Sequence, residues 1–392
     1  MLLPFYQTCL RSRLRESTFL TLQLLVLMLQ IYRDVRIERL AALFPQPIKF
    51  ESRRRNLQRF LVLPELTARY LWFPIIKGFL RQQYQPKNRS QRRRLKRHGK
   101  KILIIIDRTQ WKQRNLFMAS LVWDRRALPL YWHLLNKVGC SNLTEQKALI
   151  APLVRLLKGY KVMVLADREF HSVKLAKFLQ NKGFSFVLRQ KKSTNIKVQE
   201  EAYKRLSDIG LVSGTSLFIT GVAFTKQKGF GQFNLAANWK QTYRGKVTKQ
   251  GWYILTDLPD LTTALNSYRA RFGIEAMFRD FKRGGYQLEA THTAAKRLVA
   301  LVLLITIAYS CSVLRGQQLK RMGIQKYINR LQELQRSQRR HSNFWVGLYG
   351  QLWIGTMEVW GDLATALTQL KPNKRLYFQQ GLRAMTLIQS TF

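Results

Sequence analysis

Lys101–Gln110 reads KILIIIDRTQ, and the fold is decided there. Residues 102 to 106 are uninterruptedly apolar and mostly β-branched. The run is too short for a typical helix and suits a strand buried on both faces. It stops at a carboxylate, Asp107. A second stretch, Lys161–Ala166 (KVMVLA), has the same form and also stops at an acid, Asp167. The chain holds only 21 Asp+Glu against 68 Lys+Arg in 392 residues, so an acid at the tip of a buried strand carries unusual information. Either is a turn former or a group held rigidly for chemistry.

Outward from the first strand, Leu116–Trp123 and Ala127–Leu134 predict a hairpin around Asp124-Arg125-Arg126, which makes Asp124 a turn residue first and a catalytic candidate second. Thr144 can cap a helix running to Lys158 and closed by Gly159. After Lys161–Ala166 come a helix Ser172–Lys182, stopped by Gly183, and a strand Ser185–Arg189. Three meandering strands, then helix, strand, helix, strand is the order of a ribonuclease H-like core, an α/β fold. Its first and fourth strands are neighbours, which would bring Asp107 and Asp167 together. Residues 192–250 hold strand-like pieces among many Lys, Gly and Gln residues and predict a β-rich insertion. Trp252–Thr256 (WYILT) returns to the sheet, and Leu261–Arg283 predicts one long helix closed by Gly284-Gly285. The expected layout is an all-helical DNA-binding domain over 1–88 and a basic linker over 89–100. The catalytic core follows over 101–295, with its insertion at 192–250, and then a helical C-terminal region over 296–392.

The net charge of +47, spread over the whole length, points to a polyanion partner, and nucleic acid is the natural one. Arg89–Lys101 (RSQRRRLKRHGKK) reads as an arm lying along phosphates. Arg53, Arg54 and Arg55 open a helix that Ser52 can cap. An arginine cluster after a helix and turn is how helix-turn-helix proteins read DNA; a solvated basic face gives the same pattern. Cys9, Cys140 and Cys311 form no CxxC pair, so neither a zinc site nor a disulfide framework is expected, and a reducing cytosol is. The five histidines are dispersed. No secretory leader is legible, and the apolar runs Phe19–Leu29 and Leu298–Ala308 fall short of the ~20 residues that span a bilayer, so no membrane partner is expected.

On the helix predicted over Leu261–Arg283, Tyr268, Arg271, Glu275 and Lys282 fall at roughly 0°, 300°, 340° and 320°, a single stripe. A carboxylate flanked by two cations and a phenol suits a phosphate-and-metal site better than a core. Glu275 would join Asp107 and Asp167 as a third acid. Three carboxylates can hold two divalent cations for an in-line phosphoryl displacement, and oxygen-only ligands favour Mg²⁺ or Mn²⁺. Glu169, close to Asp167, is expected to support the site.

With these residues in place the chain resembles the DDE transposases of bacterial insertion sequences. It matches the hairpin-forming, insertion-sequence-four-like branch marked by Y-x2-R-x3-E-x6-K, here Tyr268, Arg271, Glu275 and Lys282. The resemblance covers about 101–295 and implies a metal-dependent endonuclease that also performs strand transfer. It implies cut-and-paste transposition with Asp107, Asp167 and Glu275 as catalytic metal ligands and two Mg²⁺ ions per active site. Double-stranded DNA, as terminal inverted repeats and target, would be the substrate. A homodimer would form in the synaptic complex, in the nucleoid-associated cytoplasm of a bacterium. Tyr268, Arg271 and Lys282 would contact DNA. Trp252 matches the tryptophan onto which such enzymes flip a base, although a core aromatic in a strand reads the same way. A nuclease or resolvase without strand transfer, and a non-catalytic basic DNA-binding protein, are the competing functions.

Overall fold

The computed structural model describes residues 2–84, 89, 101–225, 232–243, 246–248, 250–332 and 341–391. Most of the expected linker 89–100 lies outside these residues. In chain order the helices α1 (Pro4–Arg11), α2 (Glu16–Tyr32), α3 (Ile37–Leu43), α4 (Phe50–Phe60) and α5 (Phe73–Tyr84) come first. Next are β1 (Ile102–Trp111), β2 (Arg114–Trp123), β3 (Arg126–Leu135), α6 (Leu143–Leu156), β4 (Val162–Ala166), α7 (Val173–Asn181) and β5 (Ser185–Arg189). Short strands β6 (Asn195–Lys197) and β7 (Lys204–Arg205) lead to β8 (Ser216–Phe224), β9 (Gln232–Asn238), the pair β10 (Thr242–Tyr243) and β11 (Lys246–Val247), and β12 (Trp252–Thr256). The chain finishes with α8 (Leu261–Arg269), α9 (Phe272–Phe281), α10 (Ala295–Arg321), α11 (Gln325–Ile328), α12 (Asn343–Gln369) and α13 (Arg375–Gln389).

Two compact units emerge, Lys77–Phe278 and the pairing of Met1–Ile76 with Arg279–Phe392. The first and last helices share one core, because α10 offers apolar side chains all round and needs cover from both ends of the chain.

In Lys77–Phe278 a ten-stranded mixed sheet runs β3-β2-β1-β4-β5-β12-β9-β8-β6-β7. The β1–β2 and β2–β3 pairs are antiparallel, whereas β1–β4 and β4–β5 are parallel. Every residue of β4 is buried, as its unbroken apolar run requires. The hairpin turn is at Asp124, whose φ of 56° is a left-handed value that Asp tolerates. Pro129 sits in the edge strand β3, opposite Ser120 at a register shift, where its missing N–H costs least. The β-rich segment is not set apart from the core. β9 pairs with the free side of β12, and β8, β6 and β7 extend the same sheet. Asn142, rather than Thr144, caps α6, in a reciprocal capping box with Glu145.

The helical unit is built around α10. This 27-residue helix is long and apolar enough to cross a bilayer by length and composition, more than its apolar run alone suggested, but 83% of that stretch is buried. Tyr6 donates to Ser310 and Gln30 to the Ala308 carbonyl, tying α1 and α2 to it. α10 and α12 cross with their backbones in contact: a Cβ on Gly316 would overlap the Asn343 carbonyl, and one on Gly347 the Ser312 carbonyl. α4 begins at Phe50 with Lys49 at its cap, so Ser52 lies inside the helix.

Candidate active site

β1 outruns its prediction and continues to Trp111, so Asp107 lies inside a strand, opposite Met118 of β2. Its parallel pairing with β4 nevertheless ends at Ile106–Ala166. Asp107 and Asp167 are therefore the first residues beyond that ladder on two adjacent parallel strands. A buried hydrophobic ladder fixes both backbones, and the acids emerge where it ends.

The expected long helix is two helices. Between them Ala270, Arg271, Gly273 and Ile274 donate to carbonyls three residues back, at 3.1–3.2 Å, instead of four. This tighter winding brings residues three apart into line, so that Tyr268 and Arg271 share a face. Gly273 is required at the break, because a Cβ there would lie 2.8 Å from the Arg126 carbonyl oxygen. α9 then carries Glu275 one turn beyond Arg271.

These residues meet around one guanidinium. Arg271, only 4% exposed, places Nη2 at 2.5 Å from Glu275 Oε1 and Nη1 at 3.6 Å from Asp107 Oδ2. Its Cζ lies 5.7 Å from the Tyr268 ring centre and 5.0 Å from that of Phe272. Tyr268, fully buried, donates its hydroxyl to Asp167 Oδ1 at 3.2 Å, and Arg189 Nη1 is 3.5 Å from the same oxygen. Burial works against the Arg271 charge, but Tyr268 and the three acids outweigh it and hold Arg271 firmly protonated.

The two aspartates differ. Burial pushes Asp107 up to about 7, against the pull of Arg271 and the Arg108 N–H, with Asp167 and Glu275 adding to the rise. Burial also acts to raise Asp167, but Arg271, the Arg168 N–H, Arg189 and Tyr268 overcome it and hold this carboxyl below its usual range. Burial pushes the Tyr268 phenol up to about 12, so it remains a hydrogen-bond donor.

Among the described residues no three Asp, Glu, His or Cys side chains are close enough together to hold a metal ion. Asp107, Asp167 and Glu275 are arranged around Arg271. Lys282 also departs from the expected stripe. It lies past the end of α9 and pairs with Glu289 at 2.7 Å.

Glu169 is a fastener. Its Oε2 is 2.5 Å from Arg108 Nε, and its Oε1 accepts from the Ser141 N–H and hydroxyl at 2.8 Å each. Trp252 is half-buried in β12, edge-on to Tyr268 with ring centres 4.9 Å apart. On α4, Arg54 pairs with Glu38 at 3.5 Å and Glu51 at 3.7 Å, Arg53 donates to the Gln46 carbonyl, and Arg55 is exposed. Arg54 is thus held by acids of its own unit, so the three arginines do not form a uniform basic face.

Arg189 was missed in the sequence, although it ends a buried strand (SFVLR) as Asp167 follows one. Beside Asp167 a cavity of ≈ 600 Å³ is lined in part by Arg168, Arg189, Lys191, Lys192 and Tyr253. It gives one side of the site a cationic wall.

A sequence profile described as "Transposase DDE domain" matches residues 75–311, more than half of the chain. No curated protein sequence matches. Among solved structures, piggyBac transposase in a synaptic complex with hairpin DNA, determined by cryo-electron microscopy, is similar with a TM-score of 0.41 and 12% identity. That match covers 99% of this chain and 81% of the other.

Proposed function

The chain belongs to the family of transposases with a DDE domain, and from that premise we propose that Asp107, Asp167 and Glu275 form one phosphoryl-transfer site that both cuts transposon ends and joins them to target DNA. DNA transposition and recombination are the family's work. The observation that carries the assignment to these residues is the emergence of Asp107 and Asp167 side by side where the β1–β4 ladder ends, linked through Arg271 and Tyr268 to Glu275. The strand order β3-β2-β1-β4-β5 supports a ribonuclease H-like core, and the Tyr268, Arg271, Glu275 and Lys282 spacing supports the insertion-sequence-four-like branch with hairpin intermediates.

The donor chemistry fits Mg²⁺ or Mn²⁺: Asp107, Asp167 and Glu275 offer only carboxylate oxygens, and Asp107, raised by burial with Asp167 and Glu275 adding to the rise, is a carboxyl whose ionised form a divalent ion would stabilise. When bound, such ions supply activation of the attacking oxygen and neutralisation of the leaving one. Asp107 must lose its proton and its contact with Arg271 to become a ligand. Tyr268 and Arg189 keep Asp167 ionised throughout. Arg271, once released, is the group to hold the attacked phosphate, and its buried Nε has no acceptor of its own. The half-buried Trp252 ring offers a surface for a flipped base. Two copies act together on paired ends, in the bacterial cytoplasm.

Purified full-length chain, incubated with Mg²⁺ and DNA carrying the ends that flank its own gene, should give nicks, hairpins and joined products. Asp107→Ala, Asp167→Ala and Glu275→Ala should each lower cleavage by about a thousandfold or more while end binding persists. Full cleavage by any of them removes that acid from the site, and cleavage without joining reduces the protein to a nuclease. Trp252→Ala should slow hairpin formation more than first nicking; equal slowing excludes the base platform.

A further inference from the structure

We propose that a hollow between α5 and the end of α6 holds backbone phosphates of a DNA segment other than the one that is cut. DNA as the partner is taken from the function proposed above; the catalytic acids play no part.

The hollow measures ≈ 210 Å³ and lies within the unit Lys77–Phe278. Leu80 and Leu156 line it and are buried, which makes its floor apolar. Lys77 and Arg81 of α5 and Arg155 and Lys158 at the end of α6 line it and are exposed, which makes its rim cationic. Lys77 and Arg81 stand four residues apart, on one helix face. The two stretches that meet here, residues 66–84 and 146–166, contain no Asp or Glu. Among the described residues none of the four cations has a carboxylate partner. Exposed cations without partners are common in a chain of net charge +47. These four differ in converging from two helices on one concavity, where their mutual repulsion favours an anion.

Tyr160 completes the lining, edge-on to Tyr84 with ring centres 6.3 Å apart. Burial pushes its phenol up against the pull of Arg81, so it stays protonated and can donate beside that guanidinium. A phenol and a guanidinium together suit phosphate oxygens. A small anion drawn inside would need polar groups on the floor, and the floor is leucine. Charges standing at the rim suit an extended polyanion instead.

Position separates this hollow from the acids. Tyr160 lies two residues before β4, and Asp167 follows β4 at its other end. Seven residues of nearly extended chain span ~20 Å. A duplex is stiff over about 150 base pairs, so the segment lying across the acids does not turn back to the opposite end of the strand. The phosphates held here belong to a more distant flank or to separate DNA.

Fluorescence anisotropy of the full chain with labelled duplexes, in the absence of metal, tests this. Lys77→Gln, Arg81→Gln, Arg155→Gln and Lys158→Gln together should weaken binding at least about fivefold. They should also lower the slope of log K against log salt by about 1 for each phosphate released. The charge-conserving pair Arg81→Lys with Arg155→Lys should keep the wild-type slope. An unchanged affinity and slope in the neutral variant overturn the proposal. So does a loss as large in the charge-conserving pair, which would report damaged structure. At constant ionic strength, millimolar inorganic phosphate should leave wild-type DNA binding unaltered; displacement matching the loss in the neutral variant assigns the hollow to a small anion and overturns the proposal. A loss confined to longer end duplexes places the flank of the same DNA in the hollow. A loss confined to capture of a second duplex, by chain already saturated with end DNA, places separate DNA there. Either meets the proposal. Because binding is read without metal, a failure of end cleavage would remove the catalytic acids and leave this site standing.

Discussion

Burial serves different ends in the two units. In Lys77–Phe278 a continuous apolar sheet holds a polar end rigid: Ile104, Ile105 and Ile106 are fully buried, and the next residue is a catalytic candidate. Charges gather there and neutralise one another around Arg271. In the helical unit the apolar residues outnumber the interior places available. α10 is buried along most of its length, while the end of α12 leaves a leucine seam outside. Strand ends lead into loops that can carry chemistry, whereas a helix that outruns its own core leaves its apolar face exposed.

Tight backbone contact should dominate stability in the helical unit. Gly347→Val forces a side chain into the Ser312 carbonyl and should cost ~3 kcal/mol or more in urea unfolding. Gly355, farther along α12 with nothing within 4 Å, is the control: Gly355→Ala should be neutral or stabilising by roughly 0.5–1 kcal/mol. Equal losses at both would contradict the close crossing.

Charge balance should dominate at the polar end of the sheet. Arg271→Met leaves Asp107 and Glu275 without their shared cation and should cost ~3 kcal/mol in the metal-free protein. Added Mg²⁺ should then raise the variant's Tm more than that of the wild type. An equal rise in both would show that Arg271 does not neutralise these acids.

The smallest effect is a pH dependence. Asp107 rises from an ordinary value of 3.8 to about 7 in the folded chain, so the folded state keeps a proton that the unfolded state has lost. Its contribution is absent at low pH, becomes unfavourable as pH climbs from about 4, and is fully unfavourable above about 7. Asp107→Asn should therefore match the wild type at pH 4 and exceed it in stability at pH 8, read by metal-free unfolding. A pH-independent difference would mean that Asp107 is ionised throughout.

Much of the site was legible because its signals are local. An apolar β-branched run ending in an acid predicts a buried strand with a polar tip, and the Tyr268, Arg271 and Glu275 spacing predicts a shared face. Arg189 shows the same strand-end signal, but a cation in so basic a chain does not stand out. The helix break was hidden because Gly273 is needed only where the chain meets β3, a contact far away in sequence. Lys282 leaves the stripe because α9 ends at Phe281 and Glu289 holds its ammonium group.

Sequence by itself pointed to a polyanion partner, the buried strands, the three candidate acids and the transposase resemblance, since composition, periodicity and spacing report directly on charge and short-range geometry. Tertiary structure alone decided that the β-rich segment extends one sheet and that the two ends of the chain share one core. It also decided that Arg271 sits among the acids. These depend on hydrogen-bonding edges, burial and charges contributed by residues remote in the chain, and no local pattern encodes which of them will meet.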